Sequence, residues 1–133
     1  MIIDSSAIVA IVRGEPEADP FLASIRAGSA LVMSAGNYLE TGIVIDRDRD
    51  AVLSAGLDPL LDQLGIEIVP VTPSQAKIAR QAYRDFGKHS GHPAKLNFGD
   101  CFAYALATER DEPLLYKGND FTAAGFAQVV ETA

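Results

Sequence analysis

An α/β domain with a central parallel sheet covered by helices on both faces is the fold class the sequence predicts, and three observations predict it. Short apolar runs alternate along the chain with longer stretches in which apolar residues recur at helical spacing. The 133 residues are enough for one domain with a proper core and too few for two. No internal repeat or low-complexity segment interrupts the alternation. Residues 1–133 are therefore taken as a single domain.

Ile2-Ile3 reads as a short buried strand, followed at once by a helix from Ser5 to Val12 with Ser5 or Ser6 near the cap position. Gly14 and Pro16 mark a turn. Phe21, Leu22 and Ile25 give helical periodicity from Glu17 to Arg26, ending at Gly28. Ala30 to Met33 is the second strand, and Ser34 the cap of a helix carrying Tyr38, Leu39, Glu40, Ile43 and Val44. A helix over 51–64 ends at Gly65, although Gly56 and Pro59 disfavour its interior. Residues 66–71 form the third strand, and Thr72-Pro73-Ser74 opens a helix through Phe86.

Residues 87–95 are unpatterned and read as a surface loop of the kind that contacts substrates. Asn97 caps a helix over 98–109, Pro113 to Tyr116 is a fourth strand, Gly118-Asn119-Asp120 a tight turn, and Gln128 to Glu131 a short last strand.

The composition is that of a globular protein: 48% hydrophobic and 22% charged residues lie well away from the disordered regime. No apolar run approaches the roughly 20 residues of a membrane span, and the first residues lack a signal peptide's basic start, so a cytoplasmic location and no membrane partner are expected. Cys101 is the single cysteine, which excludes an internal disulfide and a thiolate zinc cage within one chain. A net charge of −7 argues against broad electrostatic coverage of nucleic acid. A local exception is the basic stretch from Lys77 to Lys95, with Arg80, Arg84 and Lys88 between, which reads equally as a phosphate-facing edge or a solvated helix face.

In parallel α/β sheets, sites lie at the C-terminal ends of the strands. Four acids sit there or nearby: Asp4 after the first strand, Glu40 in the helix after the second, Asp100 in the first turn of its helix, and Asp120 past the fourth strand. A carboxylate beside apolar sequence costs several kcal/mol unless something pairs with it, and four together suit a hard divalent cation. Each also has an ordinary structural reading. Asp4 can cap a helix, Glu40 can sit at the core's edge with its head in solvent, Asp100 can complement a helix N-terminus, and Asp120 can be a turn residue. Lys117, at the same edge, reads either as a phosphate contact or as a surface lysine. His89 and His92 straddle Gly91 and precede Pro93, which makes a shared metal on one helix improbable, and Cys101 reads as core packing.

Ile3-Asp4-Ser5-Ser6-Ala7, Glu40 within residues 34–41, the block from His92 to Ala105 around Asn97-Phe98-Gly99-Asp100-Cys101, and the closing Leu114 to Phe121 resemble the PIN domain of VapC toxins over essentially the whole chain. That resemblance implies a PIN-like three-layer α/β/α sandwich and a Mg²⁺-dependent endoribonuclease, with Mn²⁺ able to substitute, that arrests translation. It also implies a VapB-type antitoxin and RNA as partners, and a homodimer. Position by position, Asp4 and Asp100 match the principal metal ligands, Glu40 the third acid, Asp120 the fourth, and Ser6 a small hydroxyl residue near the metal. Many relatives place the last acid two positions earlier, where Gly118 stands here.

Two other function classes fit less well. A receiver-type phosphorylation module needs an Asp ending a central strand, and the third strand runs into Pro70-Val71-Thr72 instead. A phosphatase with paired aspartates would read Asp-x-Asp at the first strand, where the second position is Ser6. A catalytically silent binding partner that keeps the fold is the remaining alternative, and the presence of all four acids weighs against it.

Overall fold

The computed structural model describes residues 1–129. Four strands, β1 (Ile2–Ile3), β2 (Leu31–Ser34), β3 (Ile66–Val69) and β4 (Leu114–Leu115), form one parallel sheet in the order β3-β2-β1-β4. The helices are α1 (Ser5–Val12), α2 (Ala18–Ala27), α3 (Ala35–Arg47), α4 (Ala51–Leu64), α5 (Pro73–Phe86), α6 (Phe98–Arg110) and the short α7 (Asp120–Ala123). Ile2 lies opposite both Val32 and Leu114, which places β1 at the centre of the sheet.

Side chains alternate across a strand, and that alternation divides the core into two layers. Ile3, Leu31, Met33, Ile66 and Leu115 point to one face, where Ile8, Phe21, Ile25, Leu57 and Leu61 of α1, α2 and α4 cover them. Ile2, Val32, Val69 and Leu114 point to the other, against Cys101, Ala103, Leu106 and Phe121 of α6 and α7. Ile2 and Ile3 are both fully buried, and each such side chain contributes about 1.5–3 kcal/mol. The strands are apolar on both faces for this reason, and the three-layer sandwich expected from the sequence is the one found.

Ser34, Thr72 and Asn97 cap α3, α5 and α6, each side-chain oxygen accepting from a backbone N–H in the first turn. Three expectations are revised. The cap of α1 is Asp4 itself rather than Ser5 or Ser6. The turn at 118–120 opens directly into α7, with Asp120 as its first residue. Gln128 and Val129 are not in a strand, and the rest of the expected last strand lies outside the described residues. Pro59 and Gly56 do not break α4, which runs unbroken to Gly65 in the left-handed conformation at φ 71°. Among the described residues no helix is long and apolar enough to cross a membrane.

Candidate metal and active site

Asp4 leaves the end of β1 and starts α1, so its carboxylate caps that helix. Oδ2 accepts from the Ser6 backbone N–H at 3.0 Å and the Ser6 hydroxyl at 2.6 Å. Oδ1 is buried and has no hydrogen-bond partner, an arrangement that ordinarily costs several kcal/mol and calls for an explanation. Ser6 is itself held from the far side, its Oγ accepting from the Lys117 backbone N–H at 2.9 Å.

Asp100 does the same at the start of α6. It forms a capping box with Asn97, its Oδ2 accepting from the Asn97 N–H at 2.9 Å while Asn97 Oδ1 accepts from the Asp100 N–H at 2.8 Å. The capping readings of Asp4 and Asp100 and the site reading are therefore not exclusive, because one oxygen of each carboxylate makes the cap.

Glu40 reaches the same place from the second turn of α3. Its Oε1 accepts from the Ser5 hydroxyl and, at 3.3 Å, from Asn37 Nδ2. Asn37 is fully buried and its amide also donates to the Gly99 carbonyl at 2.9 Å, tying α3 to the start of α6. A Cβ on Gly99 would fall 1.6 Å from Glu40 Oε2, so that position has room for the carboxylate only because it is glycine. Gly36 admits the Phe102 ring in the same way. Asn37 was not singled out from sequence, and Ser5 only as a possible cap of α1. The available signal was Asn37 three residues before Glu40, on the same helix face.

The four acids act on one another electrically. Burial pushes the Asp4 carboxyl up to about 7, Asp100 and Glu40 adding to the rise against the hydrogen bonds from Ser6. Burial likewise raises Asp100 to about 6, opposed by the Asn97 N–H, with Glu40 and Asp120 raising it further and Lys88 lowering it. Asp120 is exposed, at the outer side of this group. The structure thus brings Asp4, Glu40, Asp100 and Asp120 to one edge of the sheet. Among the described residues, however, no three His, Cys, Asp or Glu side chains close a cage around one point.

The other sequence candidates fall elsewhere. The Lys117 ammonium pairs with Glu15 and lies 3.4 Å from Glu17, while its backbone supports Ser6. His92 Nδ1 accepts from the Ala94 N–H and its ring packs edge-on against Phe86, so it serves the loop. Cys101 is buried, with its thiol pushed up to about 11 by burial, as an inert core residue is.

The fold is a three-layer sandwich on a parallel sheet, with four carboxylates toward one edge of it. The family model described as "PIN domain" matches residues 1–127. Ribonuclease VapC28 of Mycobacterium tuberculosis is 50% identical over 131 residues, which cover 98% of either chain. The chain therefore belongs to the PIN-domain family of VapC ribonucleases, hydrolases acting on RNA. Several solved structures share the fold. The sarcin-ricin loop cleaving toxin VapC20 of M. tuberculosis superposes with a TM-score of 0.76 at 18% identity over 98% of each chain. A toxin-antitoxin complex from Klebsiella pneumoniae gives 0.69 at 17% identity, covering 98% of this chain and 95% of that one.

Proposed function

We propose that the chain is a Mg²⁺-dependent endoribonuclease, the toxin of a VapBC-type pair, and that it arrests translation by cutting RNA in the cytoplasm. The observation that carries the metal reading is Asp4 Oδ1, a buried carboxylate oxygen without a partner, beside Asp100 and Glu40. An all-oxygen donor set of this kind suits Mg²⁺ or Mn²⁺. Mg²⁺ keeps several waters and is typically held through one or two carboxylates plus substrate phosphate, so it does not need a closed protein cage.

Asp4 and Asp100 would hold the ion through the oxygens not engaged in capping, and Asp120 and Glu40 would complete its surroundings. When bound, such an ion stabilises charge on the scissile phosphate and acidifies the attacking water. Glu40, kept in place by Ser5, Asn37 and the gap at Gly99, would orient the attacking water. Ser6 locks the Asp4 carboxylate to the strand-four end of the sheet through the Lys117 N–H. A VapB-type antitoxin is the expected partner, in keeping with the toxin-antitoxin complex that shares the fold. A homodimer is supported by Leu39 and Ile43, large exposed apolar residues one turn apart on α3.

The test is Mn²⁺ binding by calorimetry, and cleavage of total RNA with and without the ion, for the wild type and Asp100→Asn. Binding and cleavage in the wild type, both lost in a folded variant, is the expected result. A wild type that binds no ion even with RNA present overturns the metal reading.

A further inference from the structure

The chain carries −7 overall, yet between Glu67 and Asp100 there are five Lys and Arg residues and one acid, Asp85. Lys77, Arg80 and Arg84 are spaced by three and four residues along α5, so they share one helix face, and with Gln81 they line one surface recess. Lys88 continues the row beyond the helix end. Its N–H donates to the Leu96 carbonyl at 3.0 Å, which pins it beside the segment leading into α6, and its charge is felt at Asp100. The row thus runs from the far end of α5 toward the acids.

These cations are not used to hold the fold together. Among the described residues Lys77, Arg80 and Lys88 make no ion pair, and Arg84 has only an exposed contact with Asp85 at 3.6 Å. Elsewhere Arg13 is paired with Asp48, and Lys117 with Glu15 and Glu17; Arg26, Arg47, Arg49, Lys95 and Arg110 are likewise without an ion pair among the described residues, so what distinguishes this group is three cations in a row along one helix face. In a chain with 18 acids, a row of cations left unpaired is matched to an anion from outside. Beside it lies an almost wholly apolar recess between α5 and α6 that includes Arg80, Tyr83, Phe98 and Phe102. Phe98 is 77% exposed, two residues from Asp100, with its ring held edge-on by Phe102 at 5.0 Å. Cations beside an open aromatic face are the combination that binds single strands: phosphates follow the charges and unpaired bases stack on the rings.

We infer that Lys77, Arg80, Arg84 and Lys88 are a phosphate track that leads a single-stranded segment of RNA to the acidic site, with a base stacked on Phe98 beside Tyr83. This deepens the ribonuclease reading, and rests on it for the destination of the strand.

The probe is a fluorescein-labelled 2′-O-methyl oligouridylate of about 12 nucleotides. Its anisotropy is followed at fixed Mn²⁺ from roughly 50 to 200 mM salt, and its integrity is checked by gel. The triple variant Lys77→Ser, Arg80→Ser, Arg84→Ser should bind at least about tenfold more weakly at low salt, with a log–log salt slope shallower by about 2, since each single-strand phosphate contact contributes about 0.7. Phe98→Ala should weaken binding about tenfold with the slope unchanged. Arg110→Ser, at the opposite end of α6, should bind like the wild type. All three should keep the wild-type Mn²⁺ affinity and circular dichroism.

A folded triple variant with the wild-type slope overturns the track. Phe98→Ala with full RNA affinity, but a shift from dimer to monomer in sedimentation, assigns the recess to a second copy and overturns the stacking. A slope change that persists in a protein found not to bind Mn²⁺ sustains the track and sinks the metal reading instead.

Discussion

Asp4 and Asp50 do the same local job in different surroundings. Both are aspartates that cap a helix. Asp50 is exposed, and its Oδ1 accepts from the Val52 and Leu53 N–H groups where water reaches the rest of the carboxylate. Asp4 is 3% exposed, caps α1 with Oδ2, and holds Oδ1 dry and unpartnered beside two further acids. The capping geometry is interchangeable between the two positions and the electrostatics are not. A carboxylate at a buried strand end carries a desolvation cost that a cap does not require, and that difference is the ground for the role proposed for Asp4.

The sharpest break in that comparison is Asp4→Asn. Asparagine caps as well as aspartate, so the variant should fold, while RNA cleavage in Mn²⁺ falls more than the roughly 10- to 100-fold typical of losing a partner one step removed from a metal. Retained cleavage in a folded Asp4→Asn protein would reduce Asp4 to a second Asp50.

The same variant should remove most of a pH dependence of stability. The Asp4 carboxyl, ordinarily at 3.8, is pushed up to about 7 in the folded chain. Below about pH 4 it is protonated in both states and its titration has no effect. From about pH 4 to 7 the unfolded chain gives up the proton while the folded chain keeps it, so stability falls as pH rises, by on the order of 4 kcal/mol at most. Denaturation in chelator at pH 4.5 and 8 should therefore show the wild type losing midpoint and Asp4→Asn losing much less. Equal losses would mean the buried oxygen is not what titrates.

Gly99→Ala attacks the support of the site. The new methyl group collides with the Glu40 carboxylate, a steric cost of about 1–3 kcal/mol, and cleavage should fall more than stability does. A variant as active as the wild type would show that Glu40 has room to move without consequence. The smallest effect is expected at the other cap, where Asp50→Ala should cost about 1 kcal/mol in urea denaturation and leave Mn²⁺ binding and cleavage unchanged.

Helix ends were legible in the sequence because capping is local chemistry. Ser34, Thr72-Pro73, Asn97 and Gly65 end up where their types predict. Pro59 misled in the direction of caution, since α4 is anchored by Leu57 and Leu61 in the core, and packing outweighs one lost backbone hydrogen bond. The four acids were likewise visible as residues placed near strand ends. The roles of Ser5 and Asn37 beside them were not, because these lie in contacts with Glu40 and Gly99, across 35 and 62 residues of chain. Nor did the sequence pair Lys117 with Glu15, a contact made between elements about a hundred residues apart.

By itself, then, the sequence determined the alternation of helix and strand, the parallel sheet and the identity of the acids, because these follow from periodicity and short-range backbone chemistry. Tertiary structure alone decided which oxygen of Asp4 is consumed by a cap and which is left buried without a partner, why Gly99 carries no side chain, and which cations remain unpaired. Those outcomes depend on burial and on distances between elements remote in the chain, and neither is a property of any local stretch of residues.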